Sequence, residues 1–224
     1  MEESYIWTLT NRIVHILFVI LFYLTYIIND DFLKLHAMFG YLFALVILFR
    51  VIWGFIGPKY SKFKDFDFNR KNLKEYLLNP FSNIKKHIGH NPASSWAIVA
   101  MLSFGFITII TGMLAYGVDE NKGIFSFLYS QSLRDMEIME ELHSLSANLF
   151  LCVVIIHVLG SLIDKYIKKN DGIDSMITGY KKTLDMSFII DTNIFQKSIS
   201  IASVFIFLFA IYYLNFIPNN ILIK

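Results

Sequence analysis

The sequence predicts an all-α membrane protein, in which a four-helix transmembrane bundle is followed by a fifth, C-terminal transmembrane helix. The first observation is composition: 55% of the 224 residues are apolar and only 17% are charged, whereas a soluble domain carries about 25% charged residues. The second is the presence of long apolar segments, since a helix needs ~20 such residues to cross a bilayer. A chain with so little charge cannot cover a water-facing surface.

Five apolar segments are long enough to span the membrane. Apart from Arg50, none of them contains Lys, Arg, Asp or Glu. They are Ile13–Ile28, Leu35–Ile56, Trp96–Tyr116, Leu142–Ile163 and Ser198–Ile217. Because hydrocarbon offers no partner to backbone N–H and C=O groups, we expect each segment to cross as a helix. The first segment runs directly into Asn29–Asp31 with no small-residue cleavage site, which argues against a signal peptide.

The distribution of charge predicts the orientation. Sixteen of the 20 Lys and Arg residues lie on one side of the predicted helices, most of them in the loop at about 57–95 and in the loop 166–197. The positive-inside rule then predicts a cytoplasmic N-terminus and a periplasmic C-terminus. The loop lysines are expected to face anionic membrane lipid, with a docking surface for a cytoplasmic partner as the alternative. A net charge of +2 gives no indication of nucleic-acid binding.

Several kinds of chemistry are excluded by motif. The single cysteine, Cys152, cannot form an internal disulfide, a Cys-x-x-Cys-His haem attachment or a cysteine-ligated iron–sulfur cluster. Neither basic loop contains a Gly-rich phosphate loop, a dinucleotide fingerprint or a metal-spaced cysteine pair. The residues that carry function are therefore expected within or beside the membrane helices.

Four histidines lie inside the predicted helices, where an ionisable side chain is costly and indicates function by default. His143 and His157 are fourteen residues apart, close to four helical turns, so they share one helix face and lie ~21 Å apart along the axis. His15 lies thirteen residues before Ile28 and shares the inner level with His157. His36 opens the second helix and shares the outer level with His143. The expected result is one histidine pair at each level.

Two imidazoles that face each other in a bundle core suit bis-histidine ligation of haem iron. Zinc normally takes three or four protein ligands, and no further Cys, His, Asp or Glu lies at either level. A proton relay would be expected to include an acidic residue between the levels. A haem-free proton or metal transporter and a purely structural anchor are the alternatives from other classes. Any one histidine alone is equally explained by a hydrogen bond to a neighbouring helix.

Small and basic residues near the histidines are also consistent with haem binding. Gly40, one turn beyond His36, and Gly112 in the third helix leave room for a flat macrocycle, although glycine equally serves close helix packing. Arg12 and Arg50 lie at the cytoplasmic end, where a guanidinium group suits a haem propionate. A snorkelling or topogenic arginine is the alternative for both.

The segment before the third predicted helix has the residue pattern of a helix N-terminus. Asn91 is a predicted N-cap and Pro92 the predicted first helical residue. His90 could hydrogen-bond a propionate or a quinone carbonyl, and His87 is expected to be exposed. Three tryptophans near helix ends predict an interfacial aromatic belt; they are Trp7, Trp53 and Trp96.

These motifs occur in a recognisable order along the first four helices. They are Arg12 with His15, His36-Ala-Met-Phe-Gly40, Arg50-Val-Ile-Trp53-Gly54-Phe-Ile-Gly57, Gly89-His90-Asn91-Pro92, Thr111-Gly112, Glu141-Leu-His143, Ala147-Asn148 and His157-Val158-Leu-Gly160. On these residues the chain resembles the bacterial di-haem membrane cytochrome b family, which includes cytochrome b-561 and the b-type cytochrome subunit of nickel–iron hydrogenases.

The resemblance implies that residues 1–165 form a four-helix bundle with two haem b groups, each ligated by two of the four histidines. It also implies electron exchange with membrane quinone in a bacterial inner membrane. Residues 166–197 would then be a basic cytoplasmic loop, and 198–224 would carry the fifth helix. Three roles stay open for that helix: packing on the bundle, a homo-oligomer contact, or contact with a membrane partner.

We expect a cytochrome that passes electrons between quinone and a periplasmic redox protein such as a cytochrome c. The outer acidic loop Asp119–Glu141 could steer a basic partner, although its six acids near a membrane surface are equally a solvated rim. The alternative within the class is a membrane-anchor subunit of a hydrogenase or another dehydrogenase. The protein would accordingly be an electron-transfer cytochrome or a subunit of a quinone-linked oxidoreductase.

Overall fold

A computed structural model describes residues 2–28, 32–78, 87–183, 188–216 and 222. The elements are β1 Glu2–Tyr5, α1 Leu9–Ile27, α2 Leu33–Ile56, α3 Arg70–Leu78, α4 Pro92–Val118, α5 Gln131–Arg134, α6 Ile138–Tyr166, α7 Gly172–Thr178, β2 Tyr180–Thr183 and α8 Ile194–Phe216. Within the described residues, α1, α2, α4, α6 and α8 are long and apolar enough to cross a membrane. The predicted all-α membrane fold is confirmed. Residues 29–31 after the first predicted segment, the loop lysines at 85 and 86, and the predicted end of the fifth segment at 217 lie outside the described residues.

The predicted start of α4 is confirmed. The Asn91 side-chain oxygen accepts a hydrogen bond from the backbone N–H of Ser94 at 2.7 Å, which caps the helix, and α4 begins at Pro92. Such a cap stabilises a helix by about 1 kcal/mol because it satisfies one of the first backbone donors. The short α7 ends at Gly179, whose φ of +91° is the left-handed conformation that glycine adopts without strain.

The chain forms two compact units. The first consists of Met1–His15, Arg50–Met101 and Cys152–Ser200. It contains the antiparallel β1–β2 pair, in which Ser4 lies opposite Lys181. The carbonyl of Gly179 accepts hydrogen bonds from the backbone N–H groups of Ile6 (2.9 Å) and Trp7 (3.1 Å), and this ties the N-terminal segment to the turn before β2.

Polar side chains connect α1 and α2 inside the first unit. The indole N–H of Trp53 donates to the Asn11 side-chain oxygen at 2.7 Å, and the Asn11 amide donates to Ser61 Oγ at 2.6 Å. The indole N–H of Trp7 donates to Ser175 Oγ at 3.1 Å. Trp53 and Trp7 are 1% and 5% exposed, so the predicted interfacial role is wrong for both; Trp96, 37% exposed, is the tryptophan at the surface. An indole in a belt contacts lipid headgroups, whereas these two fill the interior of the unit.

The start of α8 also packs within the first unit. The Gln196 side-chain amide donates to the Ile56 carbonyl at 2.8 Å, at the end of α2. The hydroxyls of Ser200 and Thr10, the latter on α1, lie 3.1 Å apart. Further along α8, Phe205 and Phe209 are exposed, as expected for a face in contact with lipid.

The second unit consists of Ile16–Phe49, Leu102–Leu151 and Ile201–Lys224. Aromatic rings from three helices meet in it. Phe150 of α6 contacts Phe22 of α1 edge to face at 5.2 Å and Phe43 of α2 at 6.1 Å. A Cβ on Gly105 of α4 would lie 2.8 Å from Ile47 Cδ1, so glycine permits the close approach of α4 to this cluster.

Candidate functional site

The outer histidines are brought together in the second unit. His36 lies in the first turn of α2 and His143 in the second turn of α6. Their ring centroids are 6.0 Å apart with an interplanar angle of 83°. This spacing leaves room for one metal ion bonded to both rings, since a metal–imidazole nitrogen bond is ~2.0 Å long.

The same two rings are held in one tautomer. His36 Nδ1 lies 2.6 Å from the carbonyl oxygen of Ile28, and His143 Nδ1 lies 3.1 Å from that of Thr108. A carbonyl only accepts, so each Nδ1 carries the proton and each Nε2 carries the lone pair that a metal requires. A metal-binding histidine is usually oriented by such a bond through its other ring nitrogen. Both residues therefore suit ligation through Nε2.

The two predicted glycines differ in their surroundings. A Cβ on Gly112 would lie 2.7 Å from Cε1 of His143, so this glycine makes space for the histidine ring itself. A Cβ on Gly40 would meet none of the described atoms within 4 Å. The open space is thus beside Gly40, one turn from His36, whereas Gly112 positions His143.

The inner histidines belong to the first unit. His15 of α1 and His157 of α6 are both half-buried. Among the described residues no group of three or more His, Cys, Asp or Glu side chains could hold a metal. Two-histidine sites suit a metal whose other ligands come from a macrocycle, as in haem, better than zinc.

The predicted arginines also lie in the first unit. The Arg12 Nη1 donates to the carbonyl of Ile177 at 2.7 Å, while its Nε is buried without a hydrogen-bond partner among the described residues. The Arg50 guanidinium lies over the Phe63 ring at 5.4 Å, and its Nη1 is likewise buried without a partner there. A buried charged donor with no acceptor is costly. This arrangement fits an anionic acceptor such as a haem propionate.

His90 is enclosed by aromatic rings. Its ring lies 4.7 Å from that of Trp7 and 4.8 Å from that of Phe66, measured between centroids. Burial lowers the pKa of His90 to about 3, and the charges of Arg50, Lys181 and His157 act in the same direction. The imidazole is therefore neutral at physiological pH and can donate one hydrogen bond and accept another.

The sequence carries no signal that separates Lys181 from the adjacent Lys182 in the basic loop, so Lys181 was not singled out from the sequence. Lys181 is 5% exposed and its ammonium donates to the His87 carbonyl at 2.6 Å, whereas Lys182 is exposed. The expectation that His87 is exposed is wrong: the residue is half-buried and its ring contacts Tyr76.

A second missed cluster surrounds Tyr76 on α3. Its hydroxyl donates to the Asp164 carboxylate and accepts a bond from the Asn91 amide at 2.9 Å. The Lys168 ammonium donates to the Tyr76 carbonyl at 2.7 Å. Burial is the main cause that raises the pKa of Tyr76, and the hydrogen bond and charge of Asp164 raise it further. The cluster ties α3 to the N-cap of α4 and to the end of α6.

The chain is similar to a known family of membrane cytochromes. The family model of prokaryotic cytochrome b561 matches residues 6–179. A probable Ni/Fe-hydrogenase 1 B-type cytochrome subunit of Escherichia coli (strain K12) is 28% identical over 173 residues, covering 70% of this chain and 73% of that protein. A probable Ni/Fe-hydrogenase B-type cytochrome subunit of Rhodobacter capsulatus is 22% identical over 164 residues, covering 67% of this chain and 62% of its own length. No solved structure matches the chain. The chain therefore belongs to the prokaryotic cytochrome b561 family, as a multi-pass membrane cytochrome b that binds haem and transfers electrons.

Proposed function

We propose that this cytochrome holds two haem b groups, one between His36 and His143 and the other between His15 and His157. The observation that carries the proposal is the facing outer pair, with centroids 6.0 Å apart and each Nδ1 bonded to a backbone carbonyl. The inner pair is supported by its two half-buried histidines in the first unit and by Arg50 of the same unit, whose buried Nη1 lacks an acceptor among the described residues.

The residues of the chain orient and tune the site, while haem iron, when bound, takes up and releases one electron at a time. The carbonyls of Ile28 and Thr108 hold the outer rings and increase the basicity of their Nε2 atoms. A more basic ligand stabilises the oxidised metal, so these bonds are expected to lower the potential of the outer haem. Gly112 lets the His143 ring lie against α4.

We place the protein in a bacterial inner membrane with a cytoplasmic N-terminus and a periplasmic C-terminus. The excess of Lys and Arg in the loops at about 57–95 and 166–197 supports this orientation. Electrons would be exchanged with membrane quinone and with a redox protein on the periplasmic side.

A hydrogenase is the better-supported periplasmic partner. Both relatives are named as Ni/Fe-hydrogenase B-type cytochrome subunits. A basic cytochrome c is the second candidate, because Asp135, Glu137, Glu140 and Glu141 are exposed on the outer segment and would attract a positively charged surface.

The test of the haem proposal is a reduced-minus-oxidised spectrum of the purified protein together with its haem-to-chain ratio. Two low-spin b haems per chain are expected. Replacement of either residue of one pair by Ala should remove one haem and leave the other. A wild-type ratio of one, or a colourless protein after haem-replete expression, would contradict the proposal.

The partner is tested by affinity purification of the tagged chain from its native membranes. Recovery of a hydrogenase would support the anchor-subunit role. For a cytochrome c partner, Gln substitutions at Glu137, Glu140 and Glu141 should weaken the salt dependence of electron transfer. An unchanged salt dependence would argue against steering by these acids.

A further inference from the structure

The N-terminal end of α1 carries two buried polar groups that lack a partner. Thr8 directly precedes the helix, and its carbonyl accepts a hydrogen bond from the backbone N–H of Arg12 at 3.2 Å, as the carbonyl of an N-cap residue does. The Thr8 hydroxyl is buried without a hydrogen-bond partner among the described residues, and so is Nε of Arg12. Because Thr8 is only 5% exposed, bulk water cannot supply the missing partner.

Thr8 and Arg12 lie on the face of α1 that carries His15. Positions 8, 12 and 15 have the spacing i, i+4 and i+7 of one helix face. At a rise of about 1.5 Å per residue, Arg12 lies ~4.5 Å and Thr8 ~10 Å from His15 along the axis, toward the N-terminus. The first turn of a helix also presents free N–H groups and the positive end of the helix dipole, and both favour an anion.

The short helix α7 fixes the orientation of the arginine. The Ile177 carbonyl accepts a hydrogen bond from Nη1 of Arg12 at 2.7 Å. This bond leaves Nε and Nη2, which form the edge of the guanidinium group that binds a carboxylate through two parallel N–H groups. Next to Thr8, the Trp7 indole donates to Ser175 of the same short helix at 3.1 Å. The two bonds therefore hold the start of α1 against α7 and keep the carboxylate-binding edge available.

We propose that Thr8 and Arg12 form a binding site for a propionate carboxylate of the haem held by His15, with the Thr8 hydroxyl and the Nε–Nη2 edge of Arg12 as the donors. A propionate is the anion that arrives with a haem on this face of α1. The inference rests on the proposed two-haem function and adds Thr8, which the sequence did not single out, to the residues that hold the inner haem. Each donor offsets part of the negative charge near the iron, which favours the reduced iron because it carries one positive charge fewer.

The experiment is a potentiometric titration of both haems in the full-length protein, reconstituted in nanodiscs. Thr8→Val removes the hydroxyl, Thr8→Ser keeps it, and Arg12→Gln removes the positive charge. We expect Thr8→Val and Arg12→Gln to lower the midpoint potential of one haem, the same haem that a His15→Ala variant loses, and Arg12→Gln to lower it more. The potentials in Thr8→Ser should stay close to wild type.

Thr10→Val is the matched control for Thr8→Val. Thr10 lies in the same turn, about 200° around the helix from Thr8, and its hydroxyl lies 3.1 Å from that of Ser200. Both haem potentials should stay close to wild type in this variant, because the Thr10 side chain points away from the face that carries His15.

A double-mutant cycle tests whether Thr8 and Arg12 hold the same carboxylate. Once Arg12→Gln has weakened its binding, Thr8→Val should lower the potential by less than it does in the wild-type background, so the two shifts are less than additive. Thr10→Val should add nothing in the Arg12→Gln background. Strictly additive shifts of Thr8→Val and Arg12→Gln would mean that the two residues do not share an anion, and they would overturn the inference.

Wild-type potentials in Thr8→Val would also overturn the inference, while two haems in the wild type would still support the proposed function. If the potentials are unchanged but Thr8→Val retains less phospholipid phosphorus per chain than Thr10→Val, the anion is a lipid phosphate and the propionate assignment is wrong. If Thr8→Val does not fold, Thr8→Ala decides, because it also removes the hydroxyl and must lower the potential of the same haem. A wild-type protein with fewer than two haems would instead contradict the proposed function itself.

Discussion

His36 and His143 face each other edge to face, with ring centroids 6.0 Å apart and both Nδ1 atoms turned to backbone carbonyls. The two histidines come from α2 and α6, and they are more than 100 residues apart along the chain. The carbonyls fix the tautomer before any metal is bound, so the pair is preorganised for ligation through Nε2.

Gly112→Ala should disrupt the outer pair. The new methyl group would lie 2.7 Å from Cε1 of His143, closer than carbon atoms approach, so the His143 ring must move from its position opposite His36. We expect the haem-to-chain ratio to fall from two towards one. Overpacking of this kind also typically costs 1–3 kcal/mol of stability. The pyridine haemochrome assay, normalised to protein, measures the ratio.

Gly160→Ala is the matched control for Gly112→Ala, because it is also a helical glycine and its Cβ would meet none of the described atoms within 4 Å. It should leave the haem of the outer pair in place, because Gly160 belongs to the first unit and the outer pair to the second. Gly40→Ala tests whether the haem of the outer pair occupies the space beside Gly40. The new Cβ would meet none of the described atoms within 4 Å, so a perturbed spectrum of that haem would indicate that the macrocycle lies there. Full haem loading in Gly112→Ala would show that the His143 ring is free to move.

Asn11→Leu should destabilise the first unit. Asn11 accepts from the Trp53 indole at 2.7 Å and donates to Ser61 at 2.6 Å, so the change removes both bonds. Loss of a buried partner costs about 1–3 kcal/mol. The free energy of unfolding in mixed detergent micelles measures the effect. Asn148→Leu is the control, since exposed Asn148 bonds, within the described part of the chain, only the Ser144 carbonyl of its own helix. It should change stability by less than about 0.5 kcal/mol. If both variants lost the same free energy of unfolding, the hydrogen bonds of Asn11 would not be what stabilises the first unit.

Hydropathy and helical periodicity were enough to predict the five spanning helices and the shared level of His36 and His143, because both depend on spacing along the chain. The ligand roles of the histidines stay predictions. Burial of Trp53 and the difference between Lys181 and Lys182 could not be predicted from the same patterns. Each depends on a neighbour far away in sequence, such as Asn11 for Trp53, and adjacent lysines in a basic loop carry no signal that separates them.

Tyr76→Phe should loosen the cluster that ties α3 to the N-cap of α4 and to the end of α6, and it should change the response of stability to alkaline pH. The hydroxyl binds Asp164 and Asn91, and its loss should cost about 1–3 kcal/mol. Burial is the main cause that raises the pKa of Tyr76 above its usual value near 10, and the hydrogen bond and charge of Asp164 raise it further. Because the pKa of Tyr76 is higher in the folded chain than in the unfolded chain, the neutral hydroxyl stabilises the fold at pH values below the unfolded pKa. This stabilisation is lost as the pH rises above ~10. Thermal unfolding of wild type and variant from pH 8 to 11 measures both effects.

The exposed Tyr166, near the end of α6, provides the control for this pH series. Tyr166→Phe should match the wild type in stability and keep the same fall above pH ~10. In Tyr76→Phe the alkaline fall should be smaller. An identical pH dependence in the two variants would mean that ionisation of Tyr76 is not linked to unfolding.

Truncation before Ile194 should leave haem binding intact, because His15, His36, His143 and His157 all lie on α1, α2 and α6. Without α8, the Gln196 bond to the Ile56 carbonyl and the Ser200 contact with Thr10 are lost, so a lower unfolding temperature is expected. The haem-to-chain ratio and the thermal midpoint are measured together. Gln196→Ala is the point-mutant control: it should lower the midpoint by part of the same amount at an unchanged ratio. Loss of one haem on truncation would make α8 part of a haem site and would contradict the division at 165 and 198.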